Sequence, residues 1–262
     1  MECKLEKEMS VQIPNELFNQ ISESECESLE EMALAYSYCV MNSLLTKYGL
    51  YYPDCESKPV TTKDVIQWLG YKTYNKQSVI VKRNGYLERA KIIKHVKEIP
   101  LGLINNYEMS HDTSIGGLLT ASSINSDQTV KQYLGMSKET FRNYTVPLPL
   151  FLIDRNGYAN GTLIEYINTH TMSYGSIEKI IKKNKANTRN IRTEIYVFGL
   201  LKMFSYGRKK FSISGSTLES FNLISQSTFS KYVLLLEKHK LIKVYRGKQS
   251  ESFDLTNTYQ II

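Results

Sequence analysis

The chain has 262 residues, of which 42% are hydrophobic, and it carries 33 Lys and Arg against 26 Asp and Glu, a net charge of +7. This composition is too apolar for a disordered protein, and the length predicts one large folded domain or two small ones. The chain contains no run of about 18 apolar residues, which argues against a membrane span. Its first ten residues lack the apolar stretch of a signal peptide. We therefore expect a cytoplasmic protein with no membrane partner.

Residues that bind metals or catalyse reactions form no known motif in this sequence. The four cysteines, at positions 3, 26, 39 and 55, lie too far apart for the close Cys pair from which zinc takes two ligands. The four histidines are equally scattered, and the usual metalloprotease, nucleotide-binding and serine-hydrolase motifs are missing. We expect no metal, no cofactor and no catalytic residue. A DNA-acting enzyme, such as a nuclease or recombinase, stays as an alternative.

Charge is unevenly distributed along the chain. Residues 1–58 contain 11 acidic side chains against four Lys, a net charge of −7, whereas residues 59–262 contain 29 basic against 15 acidic ones, a net charge of +14. A body this basic is a suitable partner for a polyanion, because each contact with a phosphate releases condensed counterions. The asymmetry favours nucleic acid as the partner, although a generally Lys-rich proteome would give the same charge.

The acidic N-terminal segment, residues 1–58, contains a predicted amphipathic helix over 24–48. Ser24 is a candidate N-cap, and the glutamates that follow favour the positive end of the helix. Leu29, Met32, Tyr36 and Val40 lie on one face at helical spacing. This face predicts a core helix of the N-terminal domain or, alternatively, a helix through which two copies form a homodimer.

Residues 59–100 have the pattern of a small compact unit. Thr61 or Thr62 can cap a short helix that Gly70 ends, a second helix is predicted over 74–84, and a strand over 86–96. Residues 101–192 are predicted to form a helical middle region, with a helix over 163–186. A basic run between positions 179 and 192 forms a solvated face or contacts phosphate.

The C-terminal segment, 193–262, carries the strongest pattern. An apolar helix is followed by a short alternating run at 211–213, a second short helix, and a tight turn in which Ser225 is the N-cap of a third helix at 226–239. A strand at 243–246 and a returning strand at 253–259 then form a hairpin. The overall fold class is mainly α with small β hairpins, that is α+β.

This order of elements resembles the winged helix-turn-helix superfamily of DNA-binding domains. The resemblance rests on the spacing of Ser225, Thr228-Phe229, Leu236-Glu237 and Leu241-Ile242, and Lys240 stands where the family usually has Gly. It implies that the helix at 226–239 enters the major groove of DNA. The residues expected to contact base edges are Gln226, Ser227, Ser230 and Lys231. Those expected to contact the DNA backbone, some from the wing, are Arg208, Lys209, Lys210, Arg246 and Lys248.

Two further stretches are similar to this unit. In 61–87, Thr73-Tyr74, Val81-Lys82 and Gly85-Tyr86-Leu87 repeat the later spacing, which predicts a second winged helix near 60–97, joined to the first by the helical middle region. Its candidate DNA-reading residues are Lys72, Asn75, Lys76, Gln77, Lys82 and Arg83. Residues 128–144 resemble a helix-turn-helix core and form either a short recognition helix or a structural helical hairpin.

The sequence therefore predicts a non-catalytic protein that binds specific double-stranded DNA sequences. One version is a transcription regulator of bacterial, phage or plasmid type, which dimerises and binds an inverted repeat. A second version is a plasmid or phage replication initiator. The predicted tandem winged-helix architecture is similar to that of plasmid replication initiators, and its two units would bind direct repeats. A third possibility is that the winged helix is a protein-interaction module, which would show no salt-sensitive binding to DNA.

Overall fold

The computed structural model describes most of the chain in several stretches. These stretches are 6–51, 60–73, 77–97, 100–103, 118–120, 145–152, 158–159, 162–163, 168–214, 217–218, 224–246 and 257–262. In them the protein is a mixed α/β structure with small antiparallel sheets, which confirms the predicted combination of helices and β hairpins.

Eight α-helices have both ends within the described stretches. Two of them, α2 and α7, are long and buried, and α4 and α5 are single turns. The helices are α1 (Leu17–Ser22), α2 (Leu29–Lys47), α3 (Thr62–Trp68), α4 (Ser78–Val81), α5 (Tyr86–Arg89), α6 (Tyr174–Lys183), α7 (Asn190–Ser205) and α8 (Gln226–Lys238).

The strands form one three-stranded sheet and four two-stranded ones, all antiparallel. The pairs are β1–β8, β2–β5, β3–β4 and β6–β7, and the larger sheet has the order β10–β11–β9. The strands are β1 (Ser10–Pro14), β2 (Ile93–Val96), β3 (Pro100–Leu103), β4 (Leu118–Thr120), β5 (Val146–Pro149), β6 (Tyr158–Ala159), β7 (Thr162–Leu163), β8 (Thr169–Ser173), β9 (Lys210–Ile213), β10 (Ile242–Tyr245) and β11 (Asn257–Ile261).

Helix α2 is the centre of the core. Every residue from 33 to 46 is buried, and the helix contacts α1, α3, α4, α7, β1, β3 and β5. This burial confirms the core-helix prediction, and it leaves residues 33–46 no exposed face for a second copy. The homodimer itself stays a prediction. The predicted start is also wrong: Ser28 and Glu31 form a capping box that begins the helix at Leu29. Ser24 instead donates a hydrogen bond to the carbonyl of Ile21.

Two other predicted helices are shorter than expected. Within the described part of 74–84, only Ser78–Val81 is helical, and α5 occupies the beginning of the predicted strand, so that β2 starts at Ile93. The helix predicted from 163 begins only at Tyr174, because Thr169–Ser173 pairs with β1 as a strand. Alternate burial of this strand, with His170 and Met172 inside, is the period-two pattern of a half-buried sheet. Residues 128–144 lie outside the described residues.

Helices α2 and α7 cross at Gly199. A Cβ atom at this position would stand 2.1 Å from the hydroxyl oxygen of Tyr36, so only glycine allows this approach. The Tyr36 hydroxyl lies 2.7 Å from Nε2 of His170, whose Nδ1 lies 2.8 Å from Oδ1 of Asn15. The Asn15 oxygen can only accept, so Nδ1 carries a hydrogen. Burial favours the neutral imidazole, in which Nε2 accepts a hydrogen bond from the Tyr36 hydroxyl.

Burial of His170, together with the nearby charge of Lys202, lowers the pKa of its imidazole to about 3. The unfolded chain takes up a proton at this residue below about pH 6.5, whereas the folded chain stays neutral until about pH 3. The stability contributed by neutral His170 is thus complete above about pH 6.5 and is lost as the pH falls. We predict a loss of up to about 1.4 kcal/mol per pH unit in this window.

Urea unfolding of the wild type and of His170→Gln at about pH 7, 6 and 5 checks this prediction. The variant should be less stable at neutral pH, but its free energy of unfolding should fall less steeply with pH. Parallel pH dependences for the two proteins would contradict a neutral, buried His170.

Candidate nucleic-acid interface

Helix α8 begins at the residue that the sequence predicted. Ser225 is its N-cap and accepts a hydrogen bond from the Thr228 amide. One side of the helix is buried and packs on α7 and on the three-stranded sheet, where the rings of Phe229 and Tyr259 meet edge to face. The buried side chains of α8 are Phe229, Tyr232, Val233 and Leu236.

The four predicted base-contacting residues lie together on the opposite side of α8. Gln226, Ser227, Ser230 and Lys231 are all exposed within its first two turns. Positions separated by three or four residues share one face of a helix, so these side chains form a polar N-terminal surface. The structure thus brings together the residues that the sequence grouped.

Leu234 is a member of this surface that sequence analysis missed. Its side chain is 55% exposed, one turn beyond Ser230 and Lys231. An apolar side chain at such a position can contact the methyl group of thymine in the major groove. Nothing in the sequence distinguishes Leu234, because it lies in an uninterrupted apolar run in which every residue suits a core.

The predicted backbone-contacting residues surround the sheet. Arg208 and Lys209 are exposed after α7 and, with Lys202 and neighbouring residues, line a cavity of about 320 Å³. Lys210 lies on β9 with its ammonium 4.9 Å from the centre of the Tyr245 ring. Arg246 is exposed but pairs with Glu237 at 2.6 Å, so a phosphate would have to compete with that carboxylate. Lys248 lies outside the described residues.

A buried polar cluster fixes the far end of α8. Nδ1 of His239 lies 2.5 Å from Oε1 of Glu194 in α7, and the other oxygen of this carboxylate accepts a hydrogen bond from Asn184. Burial raises the pKa of Glu194, against the opposing effects of its two partners. Lys179 in α6 donates to the carbonyl of Lys240 at 3.0 Å. These contacts hold α8 on α6 and α7.

The second predicted set of DNA-reading residues is arranged differently. Lys72 is exposed after α3, and Gln77 is half-buried at the start of α4. Lys82 and Arg83 are exposed where the chain leaves α4, before α5 begins. Asn75 and Lys76 lie outside the described residues. The described members therefore do not share one continuous helix, as those of α8 do.

Residues 86–96 nevertheless repeat the backbone of residues 235–245, from the last turn of a helix to the end of the following strand. Lys91 and Lys240 both adopt the left-handed conformation, each with φ of +56°. Each is followed by two buried apolar residues that lead into a four-residue strand, β2 or β10. In both segments the first of these residues donates its amide hydrogen to the carbonyl of a leucine five positions earlier, at 2.9 Å and 3.0 Å.

Side chains and partner strands follow the same repeat. The carboxylate of Glu88 accepts the His95 amide, and the carboxylate of Glu237 accepts the Val244 amide. The carbonyls of Ile92 and Leu241, at matching positions, each accept an amide from beyond the partner strand. The repeat has its equivalent of Lys240 at Lys91 and not at Gly85, which corrects the sequence alignment by six residues. Gly85 misled that alignment because its φ is −79°, outside the left-handed region.

Comparison with known proteins finds no matching family model, curated protein or solved structure. In the described stretches, no three His, Cys, Asp or Glu side chains are grouped so that they could hold a metal ion. None of the helices there has the length and hydropathy that crossing a membrane requires.

If Lys91 and Lys240 have equivalent backbone roles, glycine should stabilise both positions. A side chain with Cβ is disfavoured in the left-handed conformation, so we predict that Lys91→Gly and Lys240→Gly each raise the free energy of unfolding by about 0.5–1 kcal/mol. Lys94→Gly, in the middle of β2, is the matched control and should lower it by about 0.5–1 kcal/mol. Urea unfolding measures all three. Similar destabilisation by all three variants would contradict the assigned conformations.

Proposed function

We propose that the protein binds specific double-stranded DNA sequences by placing the N-terminal surface of α8 in the major groove. The observation that carries this proposal is a set of exposed side chains on one side of a helix whose other side packs on α7 and the three-stranded sheet. These side chains are Gln226, Ser227, Ser230 and Lys231. The major groove of B-DNA admits an α-helix, and Gln, Ser and Lys can hydrogen-bond to base edges there. The exposed cations at 208–210 suit contacts to the phosphate backbone.

The C-terminal architecture supports a winged helix-turn-helix domain. Helix α7, strand β9, helix α8 and the strands β10 and β11 follow one another in the order that the resemblance implies. Thr217 and Leu218, between β9 and α8, are helical where the second short helix is predicted. The three strands form one antiparallel sheet beside α8. In this proposal the segment between β10 and β11 is the wing, and Arg246 lies at its base.

A tandem arrangement is supported by the repeat between 86–96 and 235–245. We propose that a single chain contributes two related units, and that the site on DNA is unsymmetrical or a direct repeat. Residues 33–46 of α2 are completely buried, so they offer no surface for the dimer that the regulator version predicts. Together these observations favour the replication initiator over a regulator that dimerises through α2.

The first test replaces two base-contacting candidates at once. Gln226→Ala with Lys231→Ala should weaken binding to the selected DNA site by about 2–4 kcal/mol, because each good base contact is worth about 1–3 kcal/mol. Both side chains are exposed, so the fold should be unchanged. Fluorescence anisotropy with the specific site and with a scrambled duplex measures the effect.

Arg246→Ala is the comparison variant. It should weaken binding to all sequences about equally and reduce the dependence of log K on log salt by about one unit, since it removes one phosphate contact. Full specific affinity in a correctly folded Gln226/Lys231 variant would remove α8 from base recognition. Absence of any salt-sensitive DNA binding by the wild type would favour the protein-interaction module.

A further inference from the structure

A cleft of about 830 Å³ lies on the side of α7 where that helix begins. Three separate parts of the chain form its walls: the start of α2, the turn after α3, and residues 185–192, which lead into α7. Four of its lining side chains are basic, and Glu30 supplies a single carboxylate. The basic residues are Lys72, Lys185, Arg189 and Arg192.

Arg192 is the fixed member of this cleft. Its side chain is only 3% exposed, its Nη1 donates to the carbonyl of Leu69, and its Nη2 lies 3.2 Å from Glu30. The guanidinium carbon stands 3.7 Å from the centre of the Tyr71 ring, a close cation–π contact. The Nε atom of the same guanidinium is buried and has no hydrogen-bond partner among the described residues. Buried guanidinium groups of this kind usually have every donor satisfied.

The other three cations are free to meet a ligand. Lys72, Lys185 and Arg189 are exposed, and none forms an ion pair within the described stretches. Helix α7 begins at the cleft. Its N-cap, Arg189, makes no side-chain cap to the first turn, and the amides of Asn190 and Ile191 donate to the carbonyls of Asn187 and Thr188. The positive end of a 16-residue helix therefore adds to the charge of the side chains.

The walls of the cleft are held at a fixed separation by Gly70. This residue has φ of +89°, and a Cβ on it would stand 2.6 Å from the carbonyl oxygen of Thr188. The turn after α3 and the entry to α7 are therefore in direct backbone contact. The cleft is therefore formed by packed parts of the core, and the exposed cations lie on its walls.

We propose that this cleft is a binding site for phosphate groups. The fixed guanidinium, the three unpaired cations and the start of α7 leave positive charge well in excess of the single Glu30 carboxylate, which already contacts Arg192 and Tyr71. A multiply charged oxyanion neutralises such a set, and phosphate accepts hydrogen bonds from Arg and from helix N-termini. The phosphate belongs either to the DNA backbone or to a small phosphorylated molecule. The inference rests on the proposed function in the first case and is independent of it in the second.

The test variant is Lys185→Ala with Arg189→Ala, which removes two exposed cations from the cleft and leaves the buried Arg192 in place. The matched control is Lys94→Ala with Lys183→Ala, which removes two exposed cations elsewhere. Both variants have the same net charge. Equal thermal unfolding midpoints establish that both variants fold. If the midpoint of the test variant is lower, Lys72→Ala with Lys185→Ala replaces it.

The first arm titrates inorganic pyrophosphate into each protein by calorimetry at low salt. If the site takes small phosphorylated molecules, the wild type and the control bind with similar affinity, and the test variant binds at least about tenfold more weakly. The second arm measures affinity for a DNA duplex at several salt concentrations. If the site takes the DNA backbone, the test variant loses about tenfold in affinity and its salt dependence falls by about two units, whereas the control stays near the wild type.

The proposal would be overturned if the test variant behaved like the control variant in both experiments. If that occurs while the Gln226/Lys231 variant loses specific DNA binding, the phosphate site fails and the proposed function stands. If the wild type binds no DNA, and only the test variant loses affinity for pyrophosphate, the proposed function fails and the phosphate site stands.

Discussion

The close crossing of α2 and α7 at Gly199 determines the arrangement of the rest of the protein. Because glycine has no Cβ, the Tyr36 hydroxyl occupies the space beside the α7 backbone and reaches His170 in the N-terminal sheet. Phe18 and Tyr196 pack their rings around the same point. Helix α7 thus contacts α2 on one side and α8 on another, so the surface proposed to bind DNA is supported directly by the central core.

Buried polar groups make this support specific. Glu194 joins Asn184 and His239, and Arg192, two residues earlier, joins Leu69, Glu30 and Tyr71. Each group would be costly to bury alone, and its contacts form only when separate segments take their observed positions. Arg192 and Glu194, two residues apart at the start of α7, therefore fix the segment after α3 on one side of the helix and α8 on the other. The proposed phosphate site lies where the second of these contacts meets solvent.

How much the sequence predicted depends on whether the signal is local. The start of α8 was predicted correctly because Ser225 and the buried positions after it act within a few residues. The start of α2 was missed because Ser24 and Ser28 are equivalent by residue type, and only the reciprocal bond to Glu31 distinguishes them. The left-handed Lys91 carries no signature of its conformation, so the true register of the repeat was hidden. The sequence places Arg192 in a basic run that forms a solvated face or contacts phosphate, and only the packing of α2 and of the turn after α3 shows that Arg192 is buried.

We propose that one chain presents two related DNA-contacting units around a shared core. Selection of the purified protein against a random duplex library at about 150 mM salt, followed by sequencing, tests this proposal. Two units on a single chain predict an unsymmetrical or directly repeated site, since operator symmetry reflects protein symmetry. Enrichment of an inverted repeat would contradict it, because such a site requires two chains related by a two-fold axis.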